Sequence, residues 1–145
     1  MASGDVRVAI NAAVALAAAP IATYDLSDYV TLEECLGQVK SKALLIQYVV
    51  SGERATTVGG YGNSGWEEDG SVVLHLVIPA GFISAPVVEE GDIIREALRG
   101  QRISADIVIE SCEPFTDFGG GAVGLYGGAW KGWASNLFYV KRDCG

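Results

Sequence analysis

Ser71-Val72-Val73-Leu74-His75-Leu76-Val77-Ile78, set between Asp69-Gly70 and Pro79, is the stretch on which the fold turns. Its aliphatic and β-branched residues suit a pleated, buried surface, and Gly and Pro at its borders punctuate it as one strand. Upstream, Ala43–Val50 (ALLIQYVV) reads as a strand buried on both faces for much of its length. Between the two, Ser51–Gly65 turns polar and ends in Gly59-Gly60-Tyr61-Gly62-Asn63-Ser64-Gly65. Two strands joined by such a loop predict an antiparallel pair.

Working outward, Ser84–Gly100 reads as a helix. Ser84 offers a cap, Pro86 suits the first turn, and Glu89, Glu90 and Asp92 favour the positive end of the helix dipole. Ile94, Ala97 and Leu98 form an apolar stripe, and Gly100 supplies the stop. Gly91 inside the run weakens it by about 1 kcal/mol relative to Ala. Ile103–Glu110 alternates cleanly, with Ile103, Ala105, Ile107 and Ile109 on one side, and predicts a strand with one dry face. The last strand is Trp130–Lys141, reached through the glycines Gly119-Gly120-Gly121 and Gly127-Gly128. At the other end, Val6, Ile10, Ala13, Val14 and Ala17 fall at helical spacing in an Ala-rich run that Pro20 must end. Ile21–Leu36 reads as a short strand or extended passage, then a turn of helix capped by Thr31. The expected fold is a single α+β domain over residues 1–145: a mostly antiparallel sheet of four to five strands with two helices packed on one face.

Composition narrows the function. Half of the 145 residues are hydrophobic, 19% are charged, and the net charge is −8. Only Lys141-Arg142 places two basic residues side by side, so the chain lacks the clustered cations that grip a nucleic-acid backbone. Cys35, Cys112 and Cys144 are odd in number and form no CxxC pair, which fits neither a disulfide framework nor a zinc site and points to a reducing compartment. The Ala-rich start carries Asp5 beside Arg7, lacks the basic opening of a secretion leader, and is too short to span a bilayer.

Reactive clusters are scarce. The glycine loops lack the GxxxxGK[ST] order and precede strands, so they are not phosphate loops. His75 is the one histidine; mid-strand, it reads as half-buried or at the surface, without the carboxylate or thiol neighbours of a metal ligand. Glu67-Glu68-Asp69 reads as a solvated hairpin tip and Glu89-Glu90 as complement to a helix dipole. No catalytic residue, metal ligand or cofactor site is expected. Trp66, Trp130 and Trp133, with Tyr61 and Tyr126, cluster at the loops and the last strand. Aromatics of this kind serve as core residues or as interface anchors. Trp130 and Trp133 are three apart and face opposite sides of a regular strand, so these five are the candidate subunit or partner contacts.

In this order of elements the chain resembles the tail terminator (tail completion) proteins of long-tailed bacteriophages and gene transfer agents. The likeness rests on the opening Ala-rich helix, the Ala43–Gly60 strand into its glycines, and the Trp66–Gly81 segment ending Ile78-Pro79-Ala80-Gly81. The helix through Ile94-Arg95-Glu96-Ala97-Leu98-Arg99-Gly100 and the closing Gly128-Ala129-Trp130 strand to Phe138 complete it; Ile21–Lys42 and Gly119–Gly128 lie outside the match. The resemblance implies a virion structural protein without catalysis, assembled in the host cytoplasm. Its subunits form a ring, usually a hexamer, that caps the tail tube and joins it to the head connector. Its partners are then other copies of itself, the tail tube protein and the head–tail connector or stopper protein. Genomic DNA passes through the lumen without specific binding, and no membrane is involved. Three alternatives remain open: another connector such as a stopper or adaptor, a small enzyme or ligand-binding domain using His75 and the acidic groups around it, and a secreted domain cleaved near Ala19.

Overall fold

A computed structural model describes residues 4–29, 31–39, 41–55, 66–79, 85–116 and 130–143. They form helix α1 (Gly4–Ala18), strand β1 (Ala22–Asp25), a 3-10 turn (Leu26–Asp28), helix α2 (Leu32–Leu36), strands β2 (Ala43–Ala55) and β3 (Trp66–Pro79), helix α3 (Ala85–Leu98), and strands β4 (Ile107–Cys112) and β5 (Trp130–Asp143). The architecture is α+β, one five-stranded sheet in the order β1-β2-β3-β5-β4. Only the short β1–β2 pair is parallel; β2–β3, β3–β5 and β5–β4 are antiparallel.

The two long helices share one face of the sheet, as expected. Val6, Ile10, Val14 and Ala18 form the inner stripe of α1, and Ile94 and Leu98 that of α3. Both meet Leu44, Ile46, Leu74, Leu76, Ile78, Ile109, Leu137 and Tyr139 from alternate positions of four strands. Each fully buried Val, Ile or Leu contributes about 1.5–3 kcal/mol, so this layer supplies most of the hydrophobic stabilisation. A third helix, α2, lies at a corner of the opposite face. Cys35, Leu36 and Val39 pack there on Ala43, Leu45 and Val77, joined by Trp130. Thr31 Oγ accepts from the Glu34 N–H, so this helix begins where the sequence expects it.

Three boundaries differ from the sequence reading. β2 runs to Ala55 and β3 starts at Trp66, so both reach into the polar stretch. Glu53 pairs in register with Glu68 and Arg54 with Glu67, and on the other side of β3 Glu67 faces Arg142 and Glu68 faces Lys141. Glu53–Glu68 is a like-charged pair, but the register also sets Glu67 between Arg54 and Arg142 and Glu68 opposite Lys141, and these unlike charges offset poor strand propensity there. Glu67-Glu68-Asp69 is therefore part of the central strand rather than a solvated tip. β4 begins only at Ile107, because Ser104 Oγ accepts from the N–H groups of Asp106 and Ile107 and turns the chain. Residues 101–103 then double back along β4: Ile109 N–H donates to Gln101 O at 2.8 Å, and Ile103 N–H donates to Ile107 O at 3.0 Å.

Gly91 has a packing reason. A Cβ built there would lie 3.1 Å from Phe115 Cδ2 and 3.2 Å from Phe115 Cγ. Gly91→Ala gains about 1 kcal/mol of helix propensity but presses on the base of a buried ring, where overpacking costs about 1–3 kcal/mol. The expected result is a net loss of about 1 kcal/mol, read as a lower urea midpoint at unchanged slope. Gly100 ends α3 at a φ of +73, the left-handed conformation that favours glycine at a helix C-terminus.

Candidate functional site

Of the five aromatic residues singled out, Tyr61 and Tyr126 lie outside the described residues. The other three fall at two places on the sheet. Trp66 opens β3 opposite Ala55, at the far end of β2. Trp130 and Trp133 begin β5 at the opposite end and point to opposite faces, as their spacing requires. Trp130 packs on the α2 cluster and Trp133 on the main core, each half-buried.

Strand edges explain why these places matter. β1 pairs only with Ala43 to Ile46, so residues 47–55 of β2 have no strand on that side among the described residues. At the other side of the sheet, β4 covers β5 from Leu137 to Lys141, and Thr116 bridges Ala134 through two hydrogen bonds. Residues 130–133 have no such neighbour among the described residues. The two open stretches thus sit diagonally, one on each side of the sheet, with Trp66 at one and Trp130 and Trp133 at the other. Open strand edges are templates for pairing with another chain. The outer side of β4 is not one, since residues 101–103 occupy it.

His75 is buried, with 5% of its surface exposed, instead of half-buried or superficial. It projects from β3 beside Leu45 of β2 and Ala134 of β5, and its Nε2 is 2.8 Å from Gln47 Oε1. Burial lowers its pKa to about 4, so the ring is neutral at physiological pH. His75 lines neither the cleft beside the end of α1, nor that between Arg102 and Arg142, nor that between Asp69 and Tyr139. Cys35 and Cys112 are free and buried; burial pushes the Cys35 thiol up to about 11 and raises that of Cys112. Neither is an activated nucleophile. Glu89 and Glu90 lie beyond the first turn of α3, and Glu90 instead pairs with Lys42. Among the described residues no group of three His, Cys, Asp or Glu could hold a metal ion, and no helix is long and apolar enough to cross a membrane.

One polar cluster escaped the sequence reading. Asp25, at the end of β1, is buried against α1 and takes hydrogen bonds on both oxygens. Arg7 Nη2 and Asn11 Nδ2 each donate to Oδ2 at 2.8 Å, and Ser27 N–H donates to Oδ1 at 2.8 Å. The Tyr48 hydroxyl donates to Asn11 Oδ1 at 2.6 Å, and Arg7 lies over the Tyr48 ring at 5.8 Å. Burial alone would raise the Asp25 pKa, but the bonds from Ser27, Arg7 and Asn11 together hold it below its ordinary value. Burial raises that of Tyr48. The cluster ties α1 to β1 and β2, with Arg7 Nη2, Asn11 Nδ2 and the Tyr48 hydroxyl each donating within it. Its one visible sequence signal is Arg7 and Asn11, spaced i, i+4 on an otherwise apolar helix.

No protein-family model matches the chain, and no curated protein matches it by sequence.

Proposed function

We propose that the chain is a tail terminator subunit, a non-catalytic virion protein whose copies close into a ring between tail tube and head connector. The observation that carries the reading is the diagonal pair of open strand edges with the candidate tryptophans at them. A closed ring needs two different patches per subunit, one on each flank, so that each copy meets the next head to tail. The stretch 47–55 of β2 and the stretch 130–133 of β5 supply such flanks, and Trp66, Trp130 and Trp133 stand where an incoming strand would need anchors. The α+β architecture agrees with what the family resemblance implies. The net charge of −8 suits a lumen through which DNA passes without being held. A rival reading as an enzyme acting through His75 draws less support, since that ring is buried and neutral.

The test is location. Particles purified from the producing cells are cross-linked, the chain is found by mass spectrometry, and its density is placed by cryo-electron microscopy. A ring joining the tail tube to the head connector is the expected result. A ring elsewhere in the neck would make the chain a stopper or adaptor, and absence from particles would overturn the reading.

A further inference from the structure

β4 is the last strand of the sheet, where an open edge is the default. Its outer side is closed by the very chain that leads into it. The connection from α3 to β4, residues 99–106, exceeds the ~2–6 residues such links usually take. Gly100, at a φ of +73, turns the chain out of α3, and Arg102 then lies antiparallel opposite Val108. The backbone bonds on either side of that pair go to β4: Ile109 N–H donates to Gln101 O at 2.8 Å, and Ile103 N–H donates to Ile107 O at 3.0 Å. The outward donor and acceptor of β4 are thereby taken. Ser104 holds the return. Its hydroxyl accepts from the Asp106 and Ile107 N–H groups and donates to Asp106 Oδ1 at 2.9 Å, while Arg102 Nη1 donates to Ala105 O at 2.9 Å. At the far end of β4, Arg95 Nε donates to Cys112 O at 2.7 Å. Core filling does not account for the strap, since Gln101, Arg102 and Ala105 are exposed and Ile103 is only partly buried.

We propose that residues 101–106 are an edge guard, a tethered strand that sits where an incoming strand would pair and so keeps other chains off β4. The tether is what makes it effective. A segment joined to β4 through one tight turn competes at an effective concentration of about millimolar or above, which a free chain does not reach. With the guard released, the Ile107 carbonyl and the Ile109 N–H become an edge on the flank opposite β2. Copies then add edge to edge without closing, which yields filaments in place of a defined assembly. With the guard in place, open backbone on that flank is confined to residues 130–133 among the described residues. The guard belongs to the α3–β4 connection and does not depend on the ring reading.

A reversible lock tests it. The bonds flanking Arg102 and Val108 make them a non-hydrogen-bonded antiparallel pair, whose Cα atoms stand about 4.5 Å apart, within disulfide reach. In the full chain, R102C and V108C fasten the guard when oxidised. Ile103→Pro and Ser104→Ala, added to them, remove the bond to Ile107 O and the turn, so reduction lets the guard go. Cys144→Ser leaves only buried native thiols, Cys35 and Cys112. One protein is thus compared with itself, by sedimentation velocity and electron microscopy for size and by amide exchange at Ile109. On reduction, exchange at Ile109 should quicken by about tenfold or more, and the protein should grow with concentration into open-ended oligomers. The oxidised form should keep the wild-type size at every concentration. Circular dichroism checks that the reduced form is folded; should it not fold, the same protein without Ile103→Pro decides by the same readings. A folded, reduced form that stays at the wild-type size, or growth in the oxidised form as well, would overturn the proposal.

Discussion

Asp25→Ala is expected to destabilise the protein by about 3 kcal/mol, a large share of the 5–15 kcal/mol that holds a typical domain together. The reason is what it leaves behind. Arg7 and Asn11 would keep their places under Tyr48 without the carboxylate that both now bond, and Arg7 Nε already has no hydrogen-bond partner in its buried position. Breaking a buried ion pair by removing one member costs about 3–5 kcal/mol. Solvent reaches 30% of the Arg7 side chain but only 6% of that of Asp25, which places the effect at the lower end. Asp25→Asn, which keeps the shape and one acceptor, should lose about half as much. Replacing both partners (R7M/D25A) should recover much of the loss, since no orphaned charge remains. Urea unfolding of the four proteins gives the answer. Equal losses for Asp25→Ala and the double variant would mean that Asp25 acts by shape alone.

The second large effect is acid sensitivity. Folded His75 titrates at about 4, whereas in the unfolded chain the imidazole binds its proton near 6.5. Between those values the unfolded state holds more protons than the folded one, so stability rises with pH across the window. The contribution is complete above about pH 6.5, declines as pH falls, and is gone by about pH 4, a loss of about 3 kcal/mol. Asp25, whose pKa is lowered, acts further down: its stabilisation is present above the ordinary carboxylate value and is lost as pH falls below it. The two groups therefore separate on one pH scan. His75→Gln, which keeps a polar side chain beside Gln47 but cannot titrate, should flatten the profile between pH 6.5 and 4 and leave the lower limb intact. An unchanged slope in that variant would mean that His75 protonates without opening the sheet.

Much of the architecture was legible from periodicity and punctuation. The stripe Val6, Ile10, Val14 declared α1, Pro20 and Gly100 closed the two long helices, and apolar runs located the cores of β2, β3 and β5. What stayed hidden was whatever depends on a distant neighbour. Glu67 and Glu68 look like loop residues until the strands on either side bring Arg54, Arg142 and Lys141 into register with them. Ser104 sits in a pattern that alternates as a strand does, but its hydroxyl holds a turn, so alternation over-extended β4. Arg7 and Asp25 are eighteen residues apart, and nothing local pairs them. For the candidate contacts, spacing placed Trp130 and Trp133 on opposite faces. That the region around them is an open edge depends on where β4 and Thr116 stop, which no local pattern reveals.

The sheet order carries a consequence for how the chain is made. β5 lies between β3 and β4, yet it leaves the ribosome after both. Until it arrives, β3 and β4 each expose an apolar, unpaired side across a gap one strand wide, and closing that gap joins segments more than fifty residues apart. Synthesis therefore passes through a stage, after β4 and before β5, in which the chain is more prone to aggregate than before β4 or once β5 has paired. A chain stopped just before residue 130 is expected to be caught by chaperones or proteases, however well α1, β2 and β3 have formed.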